Sequence, residues 1–470
     1  MGRPHIVIVG GGFSGAALAI QLARRSEQPL EITLLEPRPQ PGHGVAYSAE
    51  DPAHRINVPA ARMMLSAAEE GEFERWYRAS PAFADDPQAR WRDGKLYPQR
   101  SAFGRYMAEK FWQAASDSPS TLRHLQDRAI GLEQGAIVTA AGQRLVADVV
   151  VLAISHPPPA LPHQVAARLA DHPALVADPW QPAALHRVGR DERVGIIGTG
   201  LSMADVVASL HRIGHRGPIT AFSRRGLLPR PNAEGDYTPW TLSPGEVTAD
   251  RTRDWLARTR REIAAAAEQS ISWQAVLDEV RRQGQQIWQR LPLAEQRRFL
   301  RHLRPWWDVH RYRIAPQVHA VIAAAQQSGQ LRVVSARLAA LDSTPHTVTL
   351  SLKHRRGMLE QVTVDRLMVT TGPAHSALIQ SQPLLRALAA QGRIVADPLG
   401  LGILVNAHSE ALDPQGQPDP RLLVAGPAAR GRLGELMGLP QVAEHAEAVA
   451  QRILETLPVN DASRRCPVSR

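Results

Sequence analysis

Twice in this chain an apolar strand runs into a glycine turn and then a helix, and both copies keep the same internal spacing. The first is His5-Ile6-Val7-Ile8-Val9, then Gly10-Gly11-Gly12-Phe13-Ser14-Gly15, a helix-forming Ala16 to Arg25, and a second strand over Glu31 to Leu35. In this G-x-G-x-x-G pattern Gly10 makes the tight turn, Gly12 lets backbone approach a pyrophosphate, and Gly15 lets helix and strand pack closely. The helix N-terminus, with Phe13 and Ser14 in the turn that leads into it, offers unpaired N–H groups and a positive dipole end to phosphate. The second copy is Arg193-Val194-Gly195-Ile196-Ile197 followed by Gly198-Thr199-Gly200-Leu201-Ser202. Met203 holds the third glycine position and Ala204 follows it, a looser form that still presents Gly198, Gly200, Leu201 and Ser202 to a dinucleotide.

The copies differ at the position that reads the ribose. Glu36 stands 26 residues after Gly10, and Arg224, followed by Arg225, stands 26 residues after Gly198. A carboxylate accepts hydrogen bonds from ribose hydroxyls, whereas an arginine suits a 2′-phosphate. The expectation is FAD at the first site and NADPH at the second. Arginines merely solvated on the surface are the alternative for Arg224 and Arg225.

Each unit closes alike. Strand-like pieces between Leu122 and Ser155 end on Val149 to Ser155, and those between Leu331 and Gly372 end on Leu367 to Gly372. A last strand, Arg421 to Pro427, puts Gly426 among the cofactor-binding candidates, and a helix over Gln441 to Leu457 completes the first domain. The predicted fold class is α/β: two Rossmann-like dinucleotide-binding domains with β-meanders and a helical insertion. The boundaries read as an FAD-binding part over 1–155, a linker over 156–192, an NADPH-binding domain over 193–372 with its insertion at about 232–328, a return to the first domain over 373–457, and a tail over 458–470.

A chain of 470 residues with 44% apolar and 21% charged residues supports two folded domains. The net charge of +10 invites nucleic acid as a partner. However, only Lys95, Lys110 and Lys353 are lysines, and the arginines are spread along the chain without interleaved stacking aromatics. A basic cleft for an anionic small molecule is the better reading. No apolar run reaches the length of a membrane span, and the chain opens into a strand with no room for a signal peptide. With Cys466 the one cysteine, a cytoplasmic location is expected and a disulfide reductase is excluded. The spacings of His302, His310 and His319 match no metal-ligand pattern, so no metal is expected.

Several stretches resemble the bacterial FAD/NAD(P)-binding family related to class B flavoprotein monooxygenases and N-hydroxylases. They are Gly44-Val45-Ala46-Tyr47-Ser48 through His54-Arg55-Ile56-Asn57-Val58-Pro59, Trp180 with the second glycine turn, Ser223 to Pro229, and Trp307 to Arg313. The resemblance implies that Asn57 lies beside the flavin, and that Tyr97-Pro98-Gln99-Arg100 with Tyr106 contacts FAD phosphate and ribose. It implies O2 as co-substrate and hydroxylation of a small, anionic or amine-bearing substrate through a C4a-hydroperoxyflavin. The F-x-G-x-x-x-H fingerprint of flavin-containing and Baeyer–Villiger monooxygenases is missing between Pro157 and Arg193, which N-hydroxylases also lack. An NADPH-dependent reductase serving another acceptor and a non-catalytic nucleotide sensor are the rivals.

Helices are predicted over Asp254 to Ser270, Trp273 to Gln289, Ala294 to His302 and Gln317 to Gln327. This insertion would cap the cleft between the domains, with Arg311 or Arg313 clamping a substrate carboxylate. An Arg/Trp-rich helix end packed on its neighbour is the equal alternative.

Overall fold

The computed structural model describes residues 2–154, 156–157, 159–181, 183–242 and 250–458. Cys466, Ser155 and most of the tail lie outside the described residues.

β1 (His5–Val9), with four of its five residues buried, leads through the glycine turn into α1 (Phe13–Arg25). β2 (Glu31–Leu35) pairs parallel to it. After α2 (Arg100–Asp117) come β3 (Thr121–Leu125), then β4 (Ala129–Glu133), β5 (Ala136–Thr139) and β6 (Arg144–Val146) as a separate antiparallel meander, and β7 (Val149–Leu152). β7 returns beside β1 because its residues are apolar on both faces and fit a sheet covered on each side.

The next stretch, expected as a linker over 156–192, does more than connect. It carries a helix, His163–Leu169, and β8 (Leu175–Val176), which joins the edge of the second sheet. β9 (Val194–Ile197), α3 (Leu201–Arg212) and β10 (Ile219–Ser223) form the second glycine unit. The insertion contains α4 (Thr252–Glu268), α5 (Trp273–Arg282), α6 (Gly284–Arg290) and α7 (Leu293–Arg298). A π-helical turn, Phe299–Leu303, runs straight into α8 (Arg304–Arg311). The helix expected over Trp273 to Gln289 is broken at Gln283.

α9 (Pro316–Gln327) is not part of the insertion, although the sequence boundary included it. It is the crossover helix of the second unit, burying Val318, Ile322 and Ala325 in the same core as α3 before β11 (Leu331–Ser343) pairs parallel to β10. β11 continues past the sheet and pairs with β12 (Val348–His354) and β13 (Leu359–Val364), so this meander is continuous with its sheet. β14 (Arg366–Val369) closes the unit beside β9. The chain then recrosses and adds β15 (Glu410–Leu412), β16 (Pro418–Val424) and α10 (Gln441–Thr456) to the first domain.

The sheets run β15-β16-β7-β1-β2-β3 and β13-β12-β11-β10-β9-β14-β8. Both glycine turns lie at the carboxyl ends of their central strands, where open α/β sheets bind ligands.

Candidate dinucleotide sites and the cavity between them

The first turn is held by contacts that only glycine permits. Gly10 has φ +103°, and a Cβ there would lie 2.2 Å from the Ala153 carbonyl oxygen; one at Gly15 would lie 1.9 Å from that of Gly10. The Gly11 N–H donates to Glu36 Oε2 at 2.8 Å, and the Arg38 N–H donates to Oε1 at 3.0 Å. The Glu36 carboxylate is therefore buried and fixed in direction.

Gly426 (φ +78°) presses on Ser14, whose Oγ would be 2.3 Å from an added Cβ. The Gly426 N–H donates to His445 Nδ1 at 3.0 Å, so His445 Nε2 carries the proton and meets Ser409 Oγ at 2.8 Å. Burial pushes His445 down to about 4, so it is neutral near pH 7. The loop at Gly42 and Gly44 lies over this turn: the Gly42 N–H donates to Gly11 O at 2.7 Å. α1 begins at Gly12 with no side-chain cap, which leaves its first N–H groups for a phosphate.

The second turn is looser. Gly198 (φ +117°) needs to be glycine because a Cβ would lie 2.6 Å from Thr370 O, but one on Gly200 would meet nothing within 4 Å. Arg224 is exposed, and Arg225 reaches only the His302 carbonyl, at 3.3 Å. Neither has a carboxylate partner among the described residues.

One cavity of about 1610 Å3 joins the two domains, and Gly10, Glu36, Asn57, Arg100, Leu201 and Ser202 line it. Arg224 and Arg225 stand outside its wall. Asn57 is half-buried, and its carbonyl accepts from Asn232 Nδ2 at 2.8 Å. Arg100 is buried, stacks over Trp180 at 5.2 Å, and donates twice to Asp205 of α3, at 2.9 and 3.0 Å. It is thus a tie between the domains, with its charge already met. His54 with Ser209 (3.0 Å) and Arg212 with Asp51 (2.8 Å) add to the same seam.

Arg311 and Arg313 also line the cavity, but neither is free to clamp a substrate. Arg311 pairs with Glu435, and Arg313 donates to Asp278 at 2.7 Å. Burial pushes Asp278 upward, but Arg313, Tyr237 and Arg62 outweigh it and hold the carboxyl below the usual range. Removing either arginine from its partner would strand a buried charge. Arg311 instead staples the insertion to the FAD-side segment, together with Trp288, whose Nε1 donates to Gly431 O at 2.8 Å, and Arg281, which donates to Gln441 Oε1 at 2.6 Å.

No local pattern in the sequence points to the groups gathered where the two crossings meet. Pro159 bridges Pro373, and the rings of His156 and His375 are 5.1 Å apart. Burial, then Arg430, pushes His156 to about 4; burial, Arg430, His156 and Arg304 push His375 to about 3. Both are neutral near pH 7, beside two arginines.

Two Rossmann-like units, joined by two crossings across a shared cavity, define a two-domain dinucleotide-binding protein of the FAD/NADPH flavoprotein fold. Residues 7–157 match the model of a family described as FAD-NAD(P)-binding. No curated protein matches the chain by sequence. Among solved structures, the reduced ornithine hydroxylase of Pseudomonas aeruginosa is similar at 16% identity and TM-score 0.62, covering 97% of this chain and 99% of that one. L-lysine 6-monooxygenase from Pseudomonas syringae is similar at 18% identity and TM-score 0.60, with 97% and 98% covered. The ornithine N-hydroxylase of Kutzneria, solved with reduced FAD, NADP+ and L-ornithine, is similar at 15% identity and TM-score 0.58, with 97% and 99% covered. Among the described residues no helix is long and apolar enough to cross a membrane.

Proposed function

We propose that the chain is an FAD- and NADPH-dependent monooxygenase that hydroxylates a small molecule at a nucleophilic nitrogen. The observation that carries this reading is the pairing of a fixed carboxylate, Glu36, at the first turn with two arginines, Arg224 and Arg225, at the second that have no carboxylate partner among the described residues. FAD fits the first site: Glu36 would accept from its ribose, and the N–H groups of Phe13, Ser14 and Gly15 would face its pyrophosphate. NADPH fits the second through Gly198, Gly200, Leu201 and Ser202, with Arg224 and Arg225 on the 2′-phosphate. FAD held there would supply hydride acceptance from NADPH and activation of O2, the chemistry needed to place one oxygen atom on the substrate while the other leaves as water.

The chain's own residues orient and shield this chemistry. Asn57, its backbone carbonyl held by Asn232, lines the cavity between the two sites. The Arg100–Asp205 tie and the stapled insertion hold the cavity walls together and keep water from the reacting atoms. Three solved structures of the same fold, at 15–18% identity, are an ornithine hydroxylase, an ornithine N-hydroxylase and an L-lysine 6-monooxygenase, which supports the monooxygenase over the reductase and the sensor. The test is turnover of amine and amino-acid mixtures with NADPH under 18O2. Label in a hydroxylated product is the expected result. NADPH oxidation that yields only hydrogen peroxide with every amine, together with rapid reduction of quinones, would favour the reductase.

A further inference from the structure

A second cavity, of about 1020 Å3, lies inside the helical insertion. Its wall is mostly apolar, with Trp255, Trp273, Leu277, Trp288, Phe299 and Trp306 among its lining residues. The space opens to solvent at Trp306, which is 47% exposed, and its volume is that of a ligand-binding cleft. The π-helical turn at Phe299–Leu303 contributes to the wall, and such turns often mark functional sites.

Arg304, Tyr312 and Arg430 border both this chamber and the cavity between the nucleotide sites. Arg430 is only 5% exposed, yet among the described residues its Nε and one terminal nitrogen have no hydrogen-bond partner. The carboxylates around it are engaged elsewhere: Glu435 by Arg311, Asp308 by Arg304 at 3.3 Å, and Asp397 by the N–H groups of Leu399 and Leu401. His156 and His375 bring no negative charge. A buried guanidinium without an acceptor is costly, and an anion at the junction would relieve it.

We infer that the substrate is a carboxylate-bearing amphiphile, whose apolar body lies in the insertion chamber and whose carboxylate is held by Arg430 with Arg304 at the junction. The inference deepens the monooxygenase reading, because it names the substrate class of that same site. It replaces a short polar amino acid with a molecule carrying a large apolar body. The insertion is then a substrate-selecting module, and Arg430 takes the anion-clamping role that Arg311 and Arg313 cannot fill.

The test is isothermal titration of the FAD-loaded protein with decanoate, decan-1-ol and L-ornithine, needing no turnover. Decanoate should bind, and Arg430→Gln should weaken it about tenfold or more while leaving decan-1-ol within about twofold. Leu277→Trp, which fills the chamber, should weaken both ligands without slowing bleaching of the flavin by NADPH. If that variant fails to fold, the comparison of acid and alcohol on Arg430→Gln still decides. Binding of ornithine but not decanoate would overturn the inference. So would loss of FAD from Arg430→Gln with no change in acid over alcohol preference, which would make Arg430 a flavin anchor. NADPH bleaching is read separately, so a chamber that binds nothing in a protein whose flavin is reduced rejects this inference alone.

Discussion

The two nucleotide units share a spacing but not a degree of closure. In the first, the glycine turn is packed against Ala153, Gly426 and the loop at Gly42, and its carboxylate is pinned by two backbone N–H groups. In the second, Gly200 faces open space and the arginine at the equivalent position is exposed. The contrast suits a cofactor that stays and one that comes and goes: a site closed by many short contacts releases slowly, whereas an open turn with a flexible cation allows exchange.

Substitutions at the turns should break this contrast most sharply. Gly10→Ala forces a Cβ to within 2.2 Å of the Ala153 oxygen and should give protein that purifies without flavin, read from its absorbance. Gly200→Ala meets no atom within 4 Å and should keep its flavin, with only its affinity for NADPH reduced. Next in size is Arg100→Ala, which strands the buried Asp205 and should lower stability by about 3 to 5 kcal/mol in denaturant unfolding. Adding Asp205→Asn should recover part of that loss, since the orphaned charge is gone.

The pH dependence follows from the neutral histidines. His445 is lowered to about 4 when folded, against 6.5 for the ordinary group. Between these values the unfolded chain binds the extra proton, so stability is complete above about 6.5 and falls as the pH drops toward 4, by on the order of 3 kcal/mol for this group. Thermal unfolding across that window should show the decline, and His445→Gln should make it shallower by that group's share, leaving the part due to His156 and His375. The smallest expected effect is on the second unit alone: Arg224→Ala with Arg225→Ala should raise the KM for NADPH by about tenfold and leave that for NADH unchanged.

What could be read from the sequence was local. Strand, turn and helix sit within 30 residues of one another at Gly10 and again at Gly198, and glycine is required there by contacts within the unit or with its closing strand. The insertion was visible as helices, but its outer limit was misplaced because α9 looks like its neighbours in sequence and differs only in packing against α3. The role expected of Arg311 and Arg313 failed for a related reason. Their carboxylates, Glu435 and Asp278, are 124 and 35 residues away, and nothing in a local pattern shows that a cation is already paired. Arg430 was missed for the opposite reason: its significance lies in lacking a partner once the insertion folds over it.

The division of labour between the units is tested most directly by mixing the anaerobic yellow protein with NADPH or NADH and following the flavin absorbance. NADPH should bleach the flavin at least about tenfold faster than NADH at equal concentration, and Arg224→Ala with Arg225→Ala should erase the difference. Equal rates in the unmodified protein, or a preference that survives the double substitution, would contradict the assignment of the second unit to NADPH.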